Sequence, residues 1–139
     1  HYFDSYPGVR EYIQKTIENG RSHGFVETIY GRKRFLPDIN SRNANVRNFN
    51  ERNAINAPLQ GSAADIIKMA MIGVWKSLKK NGLKSKLILQ VHDELIVDTV
   101  ADELQTVIDI VKREMESVIS LKVPLTAECG YGKNWLEAH

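Results

Sequence analysis

The chain of 139 residues holds one cysteine, Cys129. A lone thiol excludes an internal disulfide framework and suits a reducing compartment, so the cytoplasm is the expected location. No apolar run approaches the roughly 20 residues that a membrane-spanning helix needs, and no membrane partner is expected. Repeats and low-complexity tracts are missing as well. No charge sign dominates, because the net charge is only +2. What is present is ordinary for a globular protein, with 42% hydrophobic and 26% charged residues. At this length one core can form, and a single domain over residues 1–139 is expected.

The small net charge is unevenly spread. Between Gly31 and Arg52 stand Arg32, Lys33, Arg34, Arg42, Arg47 and Arg52, against Asp38 and Glu51, a local surplus of +4. A basic stretch in a balanced chain is an electrostatic footprint for phosphates. The plain alternative is a solvated loop of mixed charge.

Hydrophobic periodicity organises the rest. Pro7 suits a first helical turn, and Val9, Tyr12, Ile13, Thr16 and Ile17 mark one face of a helix that Asn19-Gly20 or Gly24 should stop. Phe25 to Tyr30 and Lys33 to Leu36 read as strands around a turn at Gly31. A helix is expected over about Asn45 to Ala57. Pro58 and Gly61 should interrupt it, since proline disfavours helix at the residue before it. Ser62 then reads as an N-cap with Asp65 as its capping-box partner. The helix it opens carries Ala63, Ile67, Ala70, Met71, Val74 and Leu78 on one face and ends at Asn81-Gly82. A further helix starts near Ala101, where Asp102 and Glu103 favour its positive end. Its stripe is Leu104, Val107, Ile108, Val111, Met115 and Val118. Pro124 to Cys129 reads as a last strand, with Cys129 packed beside it. The expected class is α+β, a small antiparallel sheet with a functional hairpin packed against several helices.

That hairpin is Leu87-Ile88-Leu89-Gln90-Val91-His92-Asp93-Glu94-Leu95-Ile96-Val97-Asp98. Two apolar runs flank a polar triplet. A buried strand pair has no packing use for three consecutive ionisable groups, because an unpartnered buried charge is costly. At a hairpin tip the usual alternation of side chains is relaxed, so Asp93 and Glu94 could both reach one divalent cation. The plain alternative is a solvated acidic turn. His92 taken alone is more often a structural or solvent-facing imidazole. The triplet is not a hydrolase dyad, since no serine or cysteine stands in a nucleophile context.

Arg52, Asn56 and Gln60 are spaced four apart, which places them on one face of a continuous helix. The expected break at Pro58 would re-aim Gln60. Arginine and amides can read the minor groove, where acceptors N3 and O2 take similar places in every base pair. Asn56 alone could equally be a local cap beside Pro58.

Three segments together, Tyr30-Gly31-Arg32-Lys33-Arg34-Phe35-Leu36-Pro37-Asp38-Ile39, Asn50 to Ile67 with its Gly61-Ser62-Ala63-Ala64-Asp65-Ile66-Ile67 run, and Gln90-Val91-His92-Asp93-Glu94-Leu95, closely resemble the C-terminal palm region of family A DNA polymerases, notably the bacterial ones. The resemblance runs from about Tyr2 to His139. It implies that the chain is a C-terminal piece of a larger polymerase of DNA replication and repair, a reading that suits an opening on His1 without methionine.

The resemblance also implies site roles. Asp93 would help hold two magnesium ions (Mg2+), with Glu94 in support. Both are candidate catalytic and metal-binding residues. Arg52, Asn56 and Gln60 would contact the primer–template minor groove, His92 the primer terminus, and Arg32, Arg34 and Arg42 phosphates. The implied partners are primer–template DNA and deoxynucleoside triphosphates, with no obligate protein partner. A second aspartate and a nucleotide-gripping fingers helix belong to family motifs that this sequence does not contain, so the piece alone is expected to be inactive. The rival reading is a non-catalytic nucleic-acid-binding module.

Overall fold

The structure, a computed structural model, describes residues 2–139, with side chains from Asp4 onward. Five α-helices and four strands are described: α1 (Tyr2–Ser5), α2 (Pro7–His23), β1 (Phe25–Glu27), β2 (Lys33–Phe35), α3 (Ala44–Lys80), β3 (Lys86–Val91), β4 (Glu94–Asp98), α4 (Leu104–Glu116) and α5 (Trp135–Ala138). A 3₁₀ turn at Ala101–Glu103 leads into α4. The class is α+β, as expected. The strands form two separate antiparallel hairpins, β1–β2 and β3–β4, rather than one sheet. The chain divides into two compact units, residues 1–65 and 66–139.

In the first unit Pro7 opens α2, and Gly24 closes it with φ 76°, a left-handed conformation that glycine adopts without strain. Gly20 is the other glycine with a structural reason. A Cβ there would lie 2.9 Å from Ile39 Cδ1, so the missing side chain lets the helix approach the core. That core is Val26, Leu36, Ile39 and Ala54. Leu36 and Ile39 are almost wholly buried, each burial contributing about 1.5–3 kcal/mol.

The largest departure from expectation is α3, which runs unbroken through Pro58. Ser62 is not an N-cap, and Asp65 is not its capping partner. Both serve the β1–β2 turn instead. The Ile29 N–H donates to Ser62 Oγ (2.8 Å), and Thr28 Oγ1 donates to Asp65 (2.7 Å). Arg32 donates through Nε to Asp65 (2.9 Å) and through Nη2 to the Gly61 carbonyl (3.2 Å). An interior proline costs a helix about 3 kcal/mol. Four long-range hydrogen bonds, two of them to a carboxylate, are sufficient to offset that. Gly61 is explained by the same contact, since a Cβ there would lie 2.6 Å from Thr28 Cγ2. Its role is close approach rather than helix breaking.

In the second unit Val74, Leu78, Val107, Ile110 and Val111 form the core, and Leu83, Leu87, Leu95, Val97 and Met115 pack against it. The stripes expected on the two helices meet here, although Ala63 is exposed and Val118 lies beyond the end of α4. The expected strand over Pro124 to Cys129 is not formed. The Ala127 N–H donates to the Glu116 carboxylate (2.9 Å), not to a neighbouring strand, and Cys129 is exposed rather than packed.

Glu103 joins the start of β3 to the turn before α4. The N–H groups of Lys84 and Ser85 donate to its carboxylate, both at 2.9 Å, and so does the Ser85 hydroxyl (2.6 Å). These bonds, the Lys84 N–H first among them, hold the Glu103 carboxyl below its ordinary value of 4.5. A depressed carboxylate stabilises the fold above its unfolded value, and that contribution is lost as pH falls through the folded value. Glu103→Gln should therefore lower the melting temperature at pH 7 and flatten its fall on acidification below about 4.5, followed by circular dichroism.

Candidate functional site

The triplet sits at the tip of the β3–β4 hairpin. Val91 pairs with Glu94, so His92 and Asp93 form a two-residue turn. Such turns demand positive φ at the first central residue, and His92 has φ 52°. For a residue with a Cβ this costs on the order of 1–3 kcal/mol, and such strain gathers at functional sites. The Gln90 side chain steadies the turn, its Nε2 donating to the His92 carbonyl at 2.7 Å.

Asp93 is exposed and makes no side-chain hydrogen bond or ion pair among the described residues. Glu94 is the first residue of β4. Leu95 and Val97 pack on the core, so by strand alternation Glu94, Ile96 and Asp98 share the outer face. His139 Nδ1 lies 3.3 Å from Glu94 Oε1. The two carboxylates are thus neighbours in different settings, one without a partner at the tip and one beside an imidazole on the flank.

Among the described residues no group of three or more His, Cys, Asp or Glu side chains could hold a metal ion. The hairpin offers two carboxylates. Magnesium suits such a donor set when other ligands, substrate phosphates especially, complete the shell. The residues present therefore fit a part of a magnesium site rather than a whole one.

The other candidate residues lie in the first unit. Because α3 is continuous, Arg52, Asn56 and Gln60 do share one face, and all three are exposed. None has a hydrogen-bond or ion-pair partner among the described residues, and Asn56 is therefore not a cap beside Pro58. Arg34 and Arg42 are likewise exposed and unpaired among the described residues. Arg32 differs, since Asp65 and Gly61 engage it. Arg47 is also engaged, by the Ser41 carbonyl (3.1 Å) and by Glu51 (3.9 Å). Lys33 lies 4.0 Å from Glu27 and 4.2 Å over the Phe25 ring, so the six clustered basic residues contain three with structural work, a distinction that charge counting does not make. A cavity of about 430 Å³ opens between β2 and the start of α3, lined by Arg34, Phe35, Phe49 and Asn53 among others. It contains none of the hairpin carboxylates.

Sequence reasoning missed Gln90 and His139. A glutamine two residues before a tight turn is a usable signal for the first. Nothing in the sequence pattern pointed to the second.

An unpaired carboxylate on a strained turn, and a helix face of arginine and amides, are chemistry suited to phosphates, base edges and a divalent cation. The comparisons with known proteins supply the family. The profile of DNA polymerase family A matches residues 1–137, and the chain belongs to that family. It is 54% identical over 136 residues to DNA polymerase I of Caldicellulosiruptor bescii, covering 98% of this chain and 16% of that protein. With DNA polymerase I of Lactococcus lactis subsp. cremoris it shares 52% identity over 137 residues, covering 99% of this chain and 16% of the relative. Among solved structures it is similar to the POL domain of Pol1 from M. smegmatis in complex with DNA primer-template and dNTP. The TM-score is 0.96 at 44% identity, covering 99% of this chain and 24% of that one. The chain thus spans about one sixth of the length of these curated relatives.

Proposed function

We propose that residues 1–139 act as one domain, the C-terminal part of the palm, within a DNA-directed DNA polymerase that extends a primer 3′ end by template-directed addition of deoxynucleotides. The observation that carries this reading is Asp93, an unpaired and exposed carboxylate on a strained hairpin tip. An acidic turn in a plain nucleic-acid-binding module would repel phosphate, whereas a turn that presents a carboxylate to a cation draws phosphate in. Magnesium, when bound, stabilises charge developing on the attacking 3′ oxygen and on the leaving pyrophosphate.

The chain's own residues supply the positioning. Asp93 orients the cation. His92, beside it, meets the primer terminus. Arg34 and Arg42 hold backbone phosphates, which carry no sequence information. Arg32 acts at one remove, by fixing the β1–β2 turn that leads into β2, the strand of Arg34. Arg52, Asn56 and Gln60 inspect the minor groove of the growing end. The DNA and deoxynucleoside triphosphate named with the M. smegmatis structure support these partners. No described helix is long and apolar enough to cross a membrane, and a cytoplasmic place of work accords with DNA as substrate.

Two substitutions in the full polymerase separate the roles. Arg34→Ala should weaken duplex binding alike across sequences and reduce the slope of log affinity against log salt by about one. Gln60→Ala should leave duplex affinity within about twofold, because it removes no charge, and should change the ratio of matched to mismatched primer extension. If Gln60→Ala instead weakens affinity strongly and leaves that ratio alone, groove inspection is wrong.

A further inference from the structure

The segment after α4 is built to bring His139 to the hairpin. The Glu116 carboxylate first catches the Ala127 N–H at 2.9 Å. Beyond it the backbone of Gly130 and Gly132 runs directly against that of α5. A Cβ on Gly130 would stand 1.9 Å from the Ala138 carbonyl oxygen, and one on Gly132 would stand 2.5 Å from Glu137 Cβ. No side chain fits at either place. Helix α5 is then closed by reciprocal bonds. Asn134 Oδ1 accepts from the Glu137 N–H (3.1 Å), while the Glu137 carboxylate accepts from the Lys133 N–H (2.9 Å) and from Asn134 Nδ2 (3.0 Å). So short a helix has little stability of its own, and these contacts hold it in place. The residue it presents to the hairpin is His139, within ion-pair distance of Glu94 at 3.3 Å.

We propose that His139 is a positioning residue that keeps the Glu94 carboxylate turned toward α5, so that Asp93 alone of the hairpin carboxylates is presented to a divalent cation. The inference rests on the reading of this hairpin as part of a metal site. It goes beyond that reading by dividing the two carboxylates. Glu94 is tethered on the outer face of β4, and Asp93 at the tip has no partner among the described residues. Without the tether, Glu94 becomes a second ligand that competes with substrate phosphate for the same cation.

The test uses the full polymerase bound to primer–template, titrated with Mn²⁺ at one fixed pH, with free metal followed by electron paramagnetic resonance. His139→Ala should tighten Mn²⁺ binding about twofold to fivefold, the scale an exposed pair can influence. It should also raise KM for the deoxynucleotide while changing kcat less. Glu94→Gln alone should leave Mn²⁺ affinity near that of the unaltered enzyme. The double variant should match Glu94→Gln, because no carboxylate is left to release. Unchanged or weaker Mn²⁺ binding in His139→Ala overturns the proposal, as does an equal gain in the Glu94→Gln background. Asp93→Asn serves as the separate control. If it leaves Mn²⁺ affinity intact, the metal reading of the hairpin fails. If it abolishes binding while His139→Ala does nothing, only the tether fails. Because α5 keeps its Asn134 and Glu137 bonds in His139→Ala, an unchanged melting temperature is expected alongside.

Discussion

Asp93→Asn in the full polymerase should reduce single-turnover nucleotide incorporation by about a thousandfold or more, with duplex affinity kept within about twofold. Asparagine matches aspartate in size, so the two-residue turn and the Val91–Glu94 pairing are retained. What is lost, on the proposed reading, is the negative charge that positions a cation. Such a cation supplies several kcal/mol of transition-state stabilisation, and each 1.36 kcal/mol is about tenfold in rate. Duplex affinity should survive because the arginines proposed to hold DNA lie in another part of the chain. Rate and affinity falling together would mean that the turn is a binding element, and a retained rate would remove Asp93 from the metal site. Glu94→Gln should do far less damage, since Glu94 is already engaged by His139.

The isolated chain of 139 residues should not extend a primer at a measurable rate with magnesium. Its hairpin offers two carboxylates, and among the described residues no group of three or more His, Cys, Asp or Glu side chains could hold a metal ion. The chain also makes up only 16% of the DNA polymerase I of C. bescii, and family resemblance assigns a further catalytic aspartate and the nucleotide grip to motifs outside this sequence. Electrostatic stabilisation is usually the largest catalytic contribution. Losing most of it, together with substrate positioning, should cost on the order of a millionfold or more. The measurement is incorporation of a labelled deoxynucleotide by chain purified free of other polymerases. Template-dependent incorporation would show that the hairpin and α3 suffice, and would move the missing parts from chemistry to substrate capture.

Much was decided by local pattern. Apolar spacing located α2, the buried face of α3 and the stripe of α4. Two apolar runs around a polar triplet located β3 and β4, and the glycines at Gly24 and Gly82 marked two helix ends. These features depend on neighbours a few residues apart, which is the range over which a sequence pattern acts. Family-specific segments identified the family, because three separate motifs in one order seldom coincide.

Other features depend on partners far along the chain. Pro58 and Gly61 are a helix break by local rule, and Ser62 with Asp65 is a capping box. Bonds from Thr28, Ile29 and Arg32 reverse both readings and keep Arg52, Asn56 and Gln60 on one face. The segment Pro124 to Cys129 has strand composition but no strand to pair with, and a strand without a partner does not form. Which arginines are free and which are engaged, and the pairing of Glu94 with His139 across 45 positions, were likewise settled only by folding. Local propensity is worth tenths of a kcal/mol per residue, and a few buried or charge-assisted tertiary contacts exceed it.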